Sequence, residues 1–404
     1  MSIAVRPILS ALLRNRTGAV LVALQISIAL AVLVNAVYVV KQRVDLMNRP
    51  TAIDDRNIFV VSSTGFTHDF DGKASMQEDL AYLRGVPGVI GATPVNAIPL
   101  SGGGSAVNVN TVTGQPAKGK NGNYFQVDEQ GLKTLGLRLI AGRAFNANDV
   151  LPPATSVQVS YAPQVIVSKK LADALFPQGD ALGKVIYDVV DRPMTIIGIT
   201  DSMLGSWVWN DHPDWVFLSP QLPIGKDIRY LVRAEPGRRD ALMRVVEEHM
   251  TKSNPDRAIN YVRTLQLFKD RSYLSDRNMG IFLASVTALL IAITSLGIFG
   301  LATFNVSTRT KQIGTRRAVG ARRGDIVRYF LVENWLITTA GVIVGCLMGL
   351  GVGYWLSNEY QFPRIDLYYL VGGALALWVI GLLAAWQPAR KAAKVSPALA
   401  ARTV

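Results

Sequence analysis

The chain has 404 residues, 50% of them hydrophobic, and a formal net charge of +13. With a mean hydropathy of +0.25, it is too apolar for an ordinary soluble protein. Its single cysteine, Cys346, excludes an internal disulfide, and its histidines (His68, His212 and His249) are too scattered to predict a metal site.

The basic excess is confined to short segments beside hydrophobic runs. Residues 41–278 hold 27 Lys and Arg against 25 Asp and Glu. Segments 1–17, 307–332 and 387–404 hold 14 basic residues and one acid, Asp325. This is the positive-inside pattern of a membrane protein, and it excludes the nucleic-acid partner that the net charge alone would suggest.

Four uncharged runs are long enough to cross a membrane. The first is too long for the apolar region of a signal peptide, and no small-residue cleavage site follows it. If the basic segments are cytoplasmic, both termini are cytoplasmic, and residues 41–278 and a short loop at 357–366 lie outside. The predicted spans are 18–40, 279–306, 335–356 and 367–386.

The first span has predicted extensions at both ends. Residues 1–17 predict either an amphipathic helix on the cytoplasmic face or a simple basic flank of the span. After the span, an a/d stripe predicts a helical stalk at 41–50 that ends before Pro50, unless the stripe packs on other spans. The stripe consists of Leu30, Leu33, Val37, Val40, Val44 and Met47.

The outer segment, 51–264, mixes strand and helix patterns. Because both its ends must return to the membrane, the simplest arrangement is an α/β subdomain made from about 51–98 and 225–264. The middle, about 105–218, is then an inserted β-rich subdomain. Predicted strands are 57–63, 89–97, 105–113, 164–168, 184–190, 194–200, 215–218 and 228–234, and predicted helices are 76–84, 169–176 and 238–252.

Three tryptophans, Trp207, Trp209 and Trp215, crowd one part of this domain. They could line a hydrophobic substrate or partner surface, although core packing is the better interpretation. No nucleophile–base–acid set and no paired carboxylates stand out. The chain is therefore not predicted to be an enzyme on its own.

The region around the second and third spans has two further patterns. Residues 265–278 are charged and free of proline, which predicts a second stalk and one continuous helix from 265 to 306. The third span carries glycines at four-residue intervals, which predicts either tight packing within the bundle or a self-association face. These glycines are Gly341, Gly345, Gly349 and Gly353.

The basic segment at 307–332 holds seven Lys and Arg residues between two spans and is too short to be a domain. We interpret it as a cytoplasmic contact surface. Residues 309–321 read RTKQIGTRRAVGA and are similar to R-x-K-E-I-G-x-R-R-A-x-G-A in permease subunits of ABC transporters of the MacB/FtsX-like class. Matching stretches occur at 135–145, at 167–184 and from Pro388 onward, so the resemblance covers nearly the whole chain.

The resemblance implies a membrane protein with four transmembrane α-helices, helical stalks and a large extracytoplasmic α+β domain, one subdomain inserted in the other. Its expected partners are a dimer of cytoplasmic ABC ATPases, a second permease chain (in a homodimer or heterodimer) and membrane lipids. Some members also use a periplasmic adaptor and an outer-membrane channel. No Walker A motif is present, so we expect ATP and Mg²⁺ to be bound by a separate ATPase and no cofactor to be bound by this chain. The implied location is the bacterial inner membrane.

The resemblance also implies that the basic segment contains a coupling helix that docks on the ATPase. Two departures make it more basic: Gln312 replaces the usual Glu, and Arg322 replaces a frequent Ser or Thr cap, so no capping box with Asp325 is expected. The residues carried over as ATPase-coupling are Arg309, Lys311, Gln312, Ile313, Arg316, Arg317, Gly320, Ala321 and Arg322.

Three functions are compatible with this architecture. The favoured one is transmission of ATPase movements through the stalks to the outer domain, for efflux of an antibiotic, a peptide or another amphiphile. The alternatives are signalling to a cell-wall hydrolase and release of lipoproteins from the inner membrane. The large outer domain favours export, because the regulatory members of the family carry much smaller ones.

Overall fold

The computed structural model describes residues 16–153, 162–223, 225–360 and 365–395. The chain divides into two compact units, a helical unit at both ends of the chain and a mixed α+β unit at 48–275. The predicted helix or basic flank at 1–17 lies almost wholly outside the described residues.

The described helices and strands follow one another in chain order. The helices are α1 (Arg16–Met47), α2 (Gly72–Gly85), α3 (Gly131–Leu135), α4 (Lys169–Leu175), α5 (Arg239–Ser253), α6 (Leu265–Ser272), α7 (Leu274–Thr308), α8 (Thr310–Ala318), α9 (Arg323–Tyr360) and α10 (Leu367–Ala393). The strands are β1 (Ile58–Gly65), β2 (Val89–Val95), β3 (Ser105–Val109), β4 (Lys120–Val127), β5 (Leu139–Gly142), β6 (Gln164–Ser168), β7 (Val185–Tyr187), β8 (Pro193–Thr200), β9 (Val216–Pro220), β10 (Asp227–Ala234) and β11 (Arg257–Thr264).

Four helices of the helical unit, α1, α7, α9 and α10, are long and apolar enough to cross a membrane. Each extends beyond its predicted span. Helix α1 continues through the predicted stalk to Met47, and Arg43 there pairs with Asp276 of α7 at 2.6 Å. Helix α9 begins at Arg323, so the second half of the basic segment is already helical and continuous with the third span.

Helix α10 continues beyond the end of the fourth predicted span at residue 386. It continues to Ala393 with Pro388 inside it. Proline removes one backbone hydrogen bond from a helix interior. Here the turns that follow are held by packing, because Ala389, Ala392 and Ala393 are all buried against neighbouring helices.

The glycine ridge of α9 packs against α1. A Cβ added at Gly345 would stand 2.9 Å from the backbone oxygen of Ser27. Two polar side chains of α1 then reach the ridge: Ser27 Oγ donates to the Gly341 carbonyl at 2.9 Å, and Asn35 Nδ2 donates to the Gly349 carbonyl at 3.3 Å. This glycine face of α9 is therefore in contact with α1 of the same chain.

In the mixed α+β unit at 48–275, which we call the extracytoplasmic unit, the first sheet has the strand order β11-β1-β10-β2 and is fully antiparallel. Its strands come from the two ends of the segment. One face packs against α2 and α5 through Phe59, Tyr230 and Val246. The opposite face carries Ile58 and Leu231 into a second core.

The second sheet, made only from residues 105–220, has the order β3-β4-β9-β6-β8-β5, with β7 paired to β8. It is mixed: β4/β9 and β6/β8 are parallel, and the other pairs are antiparallel. Phe125, Ile166 and Leu218 project from it into the same core as Ile58 and Leu231. The inserted subdomain therefore shares a core with the first sheet.

An ion-pair cluster also joins the two subdomains. Arg84 of α2 pairs with Asp128 and, at 3.2 Å, with Glu129, both between β4 and α3. Burial raises the pKa of the Asp128 carboxyl, and Arg84 opposes that effect without overcoming it. The carboxyl is held further by its neighbours, since Gln130 N donates to it at 3.0 Å.

The predicted continuous helix from 265 to 306 is wrong, because it is interrupted at Tyr273. The first part, α6, is held by contacts within the extracytoplasmic unit. Leu265 is fully buried in the shared core, Lys269 pairs with Asp55 at 2.8 Å, and Ser272 Oγ donates to the Leu100 carbonyl at 2.5 Å. These contacts fix α6 independently of the span that follows.

We expect Gly345→Ala to destabilise the helical unit by about 1–3 kcal/mol, because the added methyl meets backbone atoms of α1 that cannot move aside. Gly351→Ala on the same helix is the matched control, since nothing lies within 4 Å of its Cβ position. There the helix propensity of alanine should stabilise by up to about 1 kcal/mol. Thermal melting of both variants in detergent measures the difference, and equal melting temperatures would contradict the packing described.

A buried ion pair provides a second prediction. Arg257 and Asp79 have side chains 1% and 6% exposed, and Tyr230 Oη donates to Asp79 at 2.6 Å. Arg257→Met leaves Asp79 buried without its cation and should cost about 3–5 kcal/mol.

Hydrogen exchange of β10 and α5 in the full-length protein measures this loss. Lys252→Met is the control, because Lys252 and Glu248 form an exposed pair on α5 whose removal should change little. Equal exchange in the two variants would contradict a role for the buried pair.

Candidate functional site

The basic segment folds as a short helix, α8, followed by a glycine turn into α9. Gly320 has φ +104°, a conformation that side chains with a Cβ rarely adopt. The Ala321 N–H reaches back to the Arg316 carbonyl at 3.0 Å, which is the six-to-one bond of a Schellman helix end. The turn therefore fixes how the chain leaves α8.

The inner face of α8 is apolar. Ile313 is 4% exposed and packs with α9 and α10 in a cluster that we name the α8 cluster. Gly314 beside it is also buried. The buried members of the α8 cluster are Ile313, Ile326, Phe330, Ala389, Ala392 and Ala393.

Arg309, at the start of α8, is bound to α9. Its Nη1 lies 3.1 Å from each carboxylate oxygen of Glu333, whose side chain is 3% exposed. The same nitrogen lies 3.5 Å from Tyr329 Oη, and the Arg316 guanidinium stands 4.9 Å from the centre of the Tyr329 ring. Glu333 and Tyr329 therefore hold Arg309 and Arg316 in place. The sequence analysis did not identify Tyr329. Its position four residues before Glu333, on the same face of the helix, could have indicated that the two side chains act together.

Arg317, near the end of α8, is bound to the C-terminal end of α10. Its Nη1 donates to the carbonyls of Ala393 at 3.0 Å and Val395 at 2.9 Å. A cation at a helix C-terminus satisfies carbonyls that have no partner in the helix. Arg317 therefore ties α8 to the last span and does not lie free on the surface.

The remaining predicted coupling residues lie on the outside of the turn. Lys311, Gln312, Gly320 and Arg322 are exposed, Arg316 is exposed beside its tyrosine, and Ala321 is half-buried. Val319, which the sequence interpretation did not single out, is 85% exposed at the tip. The outer surface thus consists of basic side chains around one apolar residue.

Arg322 keeps one half of a capping box. Its backbone N–H donates to Asp325 Oδ2 at 3.0 Å, so Asp325 satisfies one of the unpaired donors at the start of α9. An arginine side chain cannot supply the reciprocal acceptor, which leaves its guanidinium pointing into solvent.

The three tryptophans have different surroundings. Trp215 is half-buried and stacks on His212 with ring centroids 3.8 Å apart. Trp207 is also half-buried, whereas Trp209 is 51% exposed and lies over Gly102. Of the three, only Trp209 offers much of its ring to a partner. In the described part of the chain, no three His, Cys, Asp or Glu side chains come together as a metal site would need.

Two family models match the chain. The MacB-like periplasmic core domain matches residues 17–248, more than half of the chain, and the FtsX-like permease C-terminal domain matches residues 284–397. The chain belongs to the family of permeases with a MacB-like periplasmic core domain. The second match contains α8 and the glycine turn of this permease.

Curated relatives of this permease are similar but longer. The macrolide export ATP-binding/permease protein MacB of Bartonella quintana is 26% identical over 344 residues, 80% of this chain and 47% of that protein. Its counterpart in Neisseria meningitidis serogroup A is 27% identical over 367 residues, 86% of this chain and 52% of that protein. The chain thus spans about half the length of these relatives. The crystal structure of the periplasmic region of MacB from Actinobacillus actinomycetemcomitans aligns with 56% of this chain and 97% of that one, at 17% identity and a TM-score of 0.36.

The different roles of Arg309 and Arg322 can be tested by measuring the thermal stability of variants. Arg309→Ala leaves Glu333 buried without a cation and should lower the melting temperature in detergent, on the order of 5–10 °C. Arg322→Ala removes an exposed side chain of equal charge and should change it by no more than about 2 °C. Equal effects of the two substitutions would contradict the separation into inner and outer residues.

Proposed function

We propose that this chain is the permease subunit of an ATP-driven ABC transporter and that the outer surface of α8 and its turn docks on the ATPase. The observation that carries the proposal is the division of one basic segment into two sets of residues. One set is bound to α9 and α10, and the other is exposed at the tip. Docking needs both sets of residues. The exposed set contacts the ATPase, and the bound set attaches α8 to the helices to which force is transmitted.

The contacts of α8 suggest how its displacement would travel. The Arg309–Glu333 pair, the α8 cluster and the Arg317 contact attach α8 to α9 and α10. Helix α9 is in turn packed on α1 along the glycine ridge. Displacement of α8 would therefore reach α1, whose stalk is paired with α7 through Arg43 and Asp276.

The exposed positive charges of α8 and its turn also suggest the charge of the ATPase surface that would bind them. Lys311, Arg316 and Arg322 are exposed at the outer surface of α8 and its turn, and Gln312 adds no negative charge. An acidic cleft with an apolar floor for Val319 would complement this tip. We place the segment, and both termini, in the cytoplasm of a bacterial inner-membrane protein because the basic residues follow the positive-inside pattern.

For the cargo, we propose export of an antibiotic, a peptide or another amphiphile that is handled on the outer side of the membrane. The relatives named for macrolide export support this class. A second permease chain completes the proposed assembly, and a periplasmic adaptor with an outer-membrane channel would complete the export route. Export in the presence of an adaptor separates this proposal from hydrolase signalling and lipoprotein release.

The double variant Lys311→Glu/Arg322→Glu tests the docking surface. Both side chains are exposed, so the fold should survive while a repulsive charge change of four units is placed at the tip. We expect co-purification with the cognate ABC ATPase to fall at least about tenfold, and permease-dependent stimulation of ATP hydrolysis to disappear.

The control is Lys73→Glu/Lys170→Glu, which makes the same change at exposed positions in the first turns of α2 and α4. Glutamate is favourable at both helix starts, so this variant should fold and bind the ATPase normally. Normal ATPase binding by the α8 variant would contradict the docking assignment. Loss in both variants would show a general charge effect and contradict it equally.

A further inference from the structure

A small notch of about 20 Å³ lies between α8 and α9. Its polar lining consists of Arg309, Gln312, Arg316 and Tyr329, and buried members of the α8 cluster supply the rest. Gln312 and Arg316 lie about one helical turn apart on α8, and both are exposed. The notch is therefore open to solvent on the outer surface of α8.

The notch carries one positive charge that the described part of the chain does not neutralise. Arg309 is paired with the buried Glu333 at 3.1 Å. Arg316 stands over the Tyr329 ring, which attracts a cation through its face but leaves the guanidinium N–H groups without an acceptor. Among the residues that the structure describes, none accepts a hydrogen bond from the Arg316 side chain.

Gln312 adds hydrogen-bond donors beside this charge. It lies four residues before Arg316, a spacing at which a glutamate would pair with the arginine on the same helical face. A glutamine has no charge, and its amide supplies two N–H groups. The nearest acid in the sequence, Asp325, is engaged elsewhere, because it accepts from the Arg322 N–H at 3.0 Å. The notch therefore needs its anion from outside the chain.

The size of the notch selects the class of anion. A space of about 20 Å³ holds roughly one or two water-sized atoms. The two oxygens of a carboxylate fit that space, whereas the four oxygens of a phosphate or a lipid headgroup exceed it. A guanidinium binds a carboxylate through two parallel N–H···O bonds, which suits Arg316, and the Gln312 amide can donate a third.

We propose that the notch binds a single Asp or Glu side chain of the cognate ATPase, an assignment that rests on the proposed docking of α8. Arg316 is the bidentate donor, and Gln312 donates beside it. Lys311 and Arg322 do not line the notch, so they attract an acidic surface without selecting one group of it. The carboxylate in the notch therefore fixes the register of α8 on the ATPase.

Gln312→Glu in the full-length permease tests the notch. The new carboxylate lies one turn before Arg316 and pairs with it within α8, so the ATPase carboxylate meets a neutralised site. In phosphatidylcholine nanodiscs, which carry no anionic lipid, we expect the Kd for the cognate ATPase to rise about tenfold, as loss of one charged hydrogen-bonded pair allows.

Arg323→Gln is the matched control. Arg323 is exposed at the start of α9 and does not line the notch, and its replacement changes the charge by the same single unit. The Kd of this variant should rise by less than about twofold, because an exposed charge outside the contact contributes little.

A zero-length cross-link identifies the carboxylate. Arg316→Lys keeps the charge and places an amine at the notch, so a carbodiimide should join it to one Asp or Glu of the ATPase, which mass spectrometry locates. Conversion of that acid to its amide should raise the Kd by the same factor as Gln312→Glu. The two changes together should add less than about twofold to either one, because they remove the same contact.

Equal Kd values for Gln312→Glu and Arg323→Gln would overturn the notch, and so would cross-links spread over many acids. An effect of Gln312→Glu that appears only when phosphatidylglycerol is added would assign the notch to a lipid headgroup and overturn the carboxylate. Lys311→Glu/Arg322→Glu separates this proposal from docking itself. If that double variant loses binding while Gln312→Glu binds normally, only the notch is wrong, and if both bind normally, the docking of α8 is wrong as well.

Discussion

The close approach of α1 and α9 is the constraint on which the helical unit depends. Glycines leave α9 without side chains along one face, so the backbone oxygen of Ser27 comes within 2.9 Å of the position that a Cβ of Gly345 would take. Ser27 and Asn35 then donate hydrogen bonds to carbonyls of α9, which fixes the register as well as the distance. A hydrophobic surface alone could not do this in lipid, where one apolar contact is nearly equivalent to the next.

Helix α9 connects the proposed docking surface, on α8 and its turn, to the packing of the bundle. It starts in the turn after α8 and continues, as one element, past the glycines that meet α1. Helix α7 contributes less to packing, because 17% of its apolar stretch is buried, whereas 50% of the corresponding stretch of α1 is buried. The bundle is therefore firmest where α1 and α9 meet, and α7 leaves most of its surface exposed.

The sequence predicted the spans and the order of the subdomains because uncharged runs and charge balance are long-range signals that tertiary contacts do not change. It missed strands β4, β5 and β11 and the short helix α3. Strand β4 contains Asn121-Gly122, a pair typical of turns, and β11 lies at the edge of its sheet with half-buried side chains that give no clear alternation. The break at Tyr273 also had no local signal, since the contacts that hold α6 come from residues distant in sequence.

At the proposed docking surface, the sequence showed how many basic residues there are but not where their side chains point. In a helix of nine residues, one apolar residue gives too little periodicity to orient the others. Arg316 and Arg317 are neighbours, yet one stacks on Tyr329 and the other caps α10. Their separation depends on two partners that no spacing rule identifies.

The shared core of the extracytoplasmic unit limits how this domain can diverge. Phe125, Ile166 and Leu218 of the inserted part pack on Ile58 and Leu231 of the first sheet. The inserted subdomain therefore cannot be removed without loss of the core, because its removal would expose the inner face of the first sheet. Substitutions in the loops and strand ends of this domain should therefore disturb its fold less than substitutions in the two sheets that meet in its core.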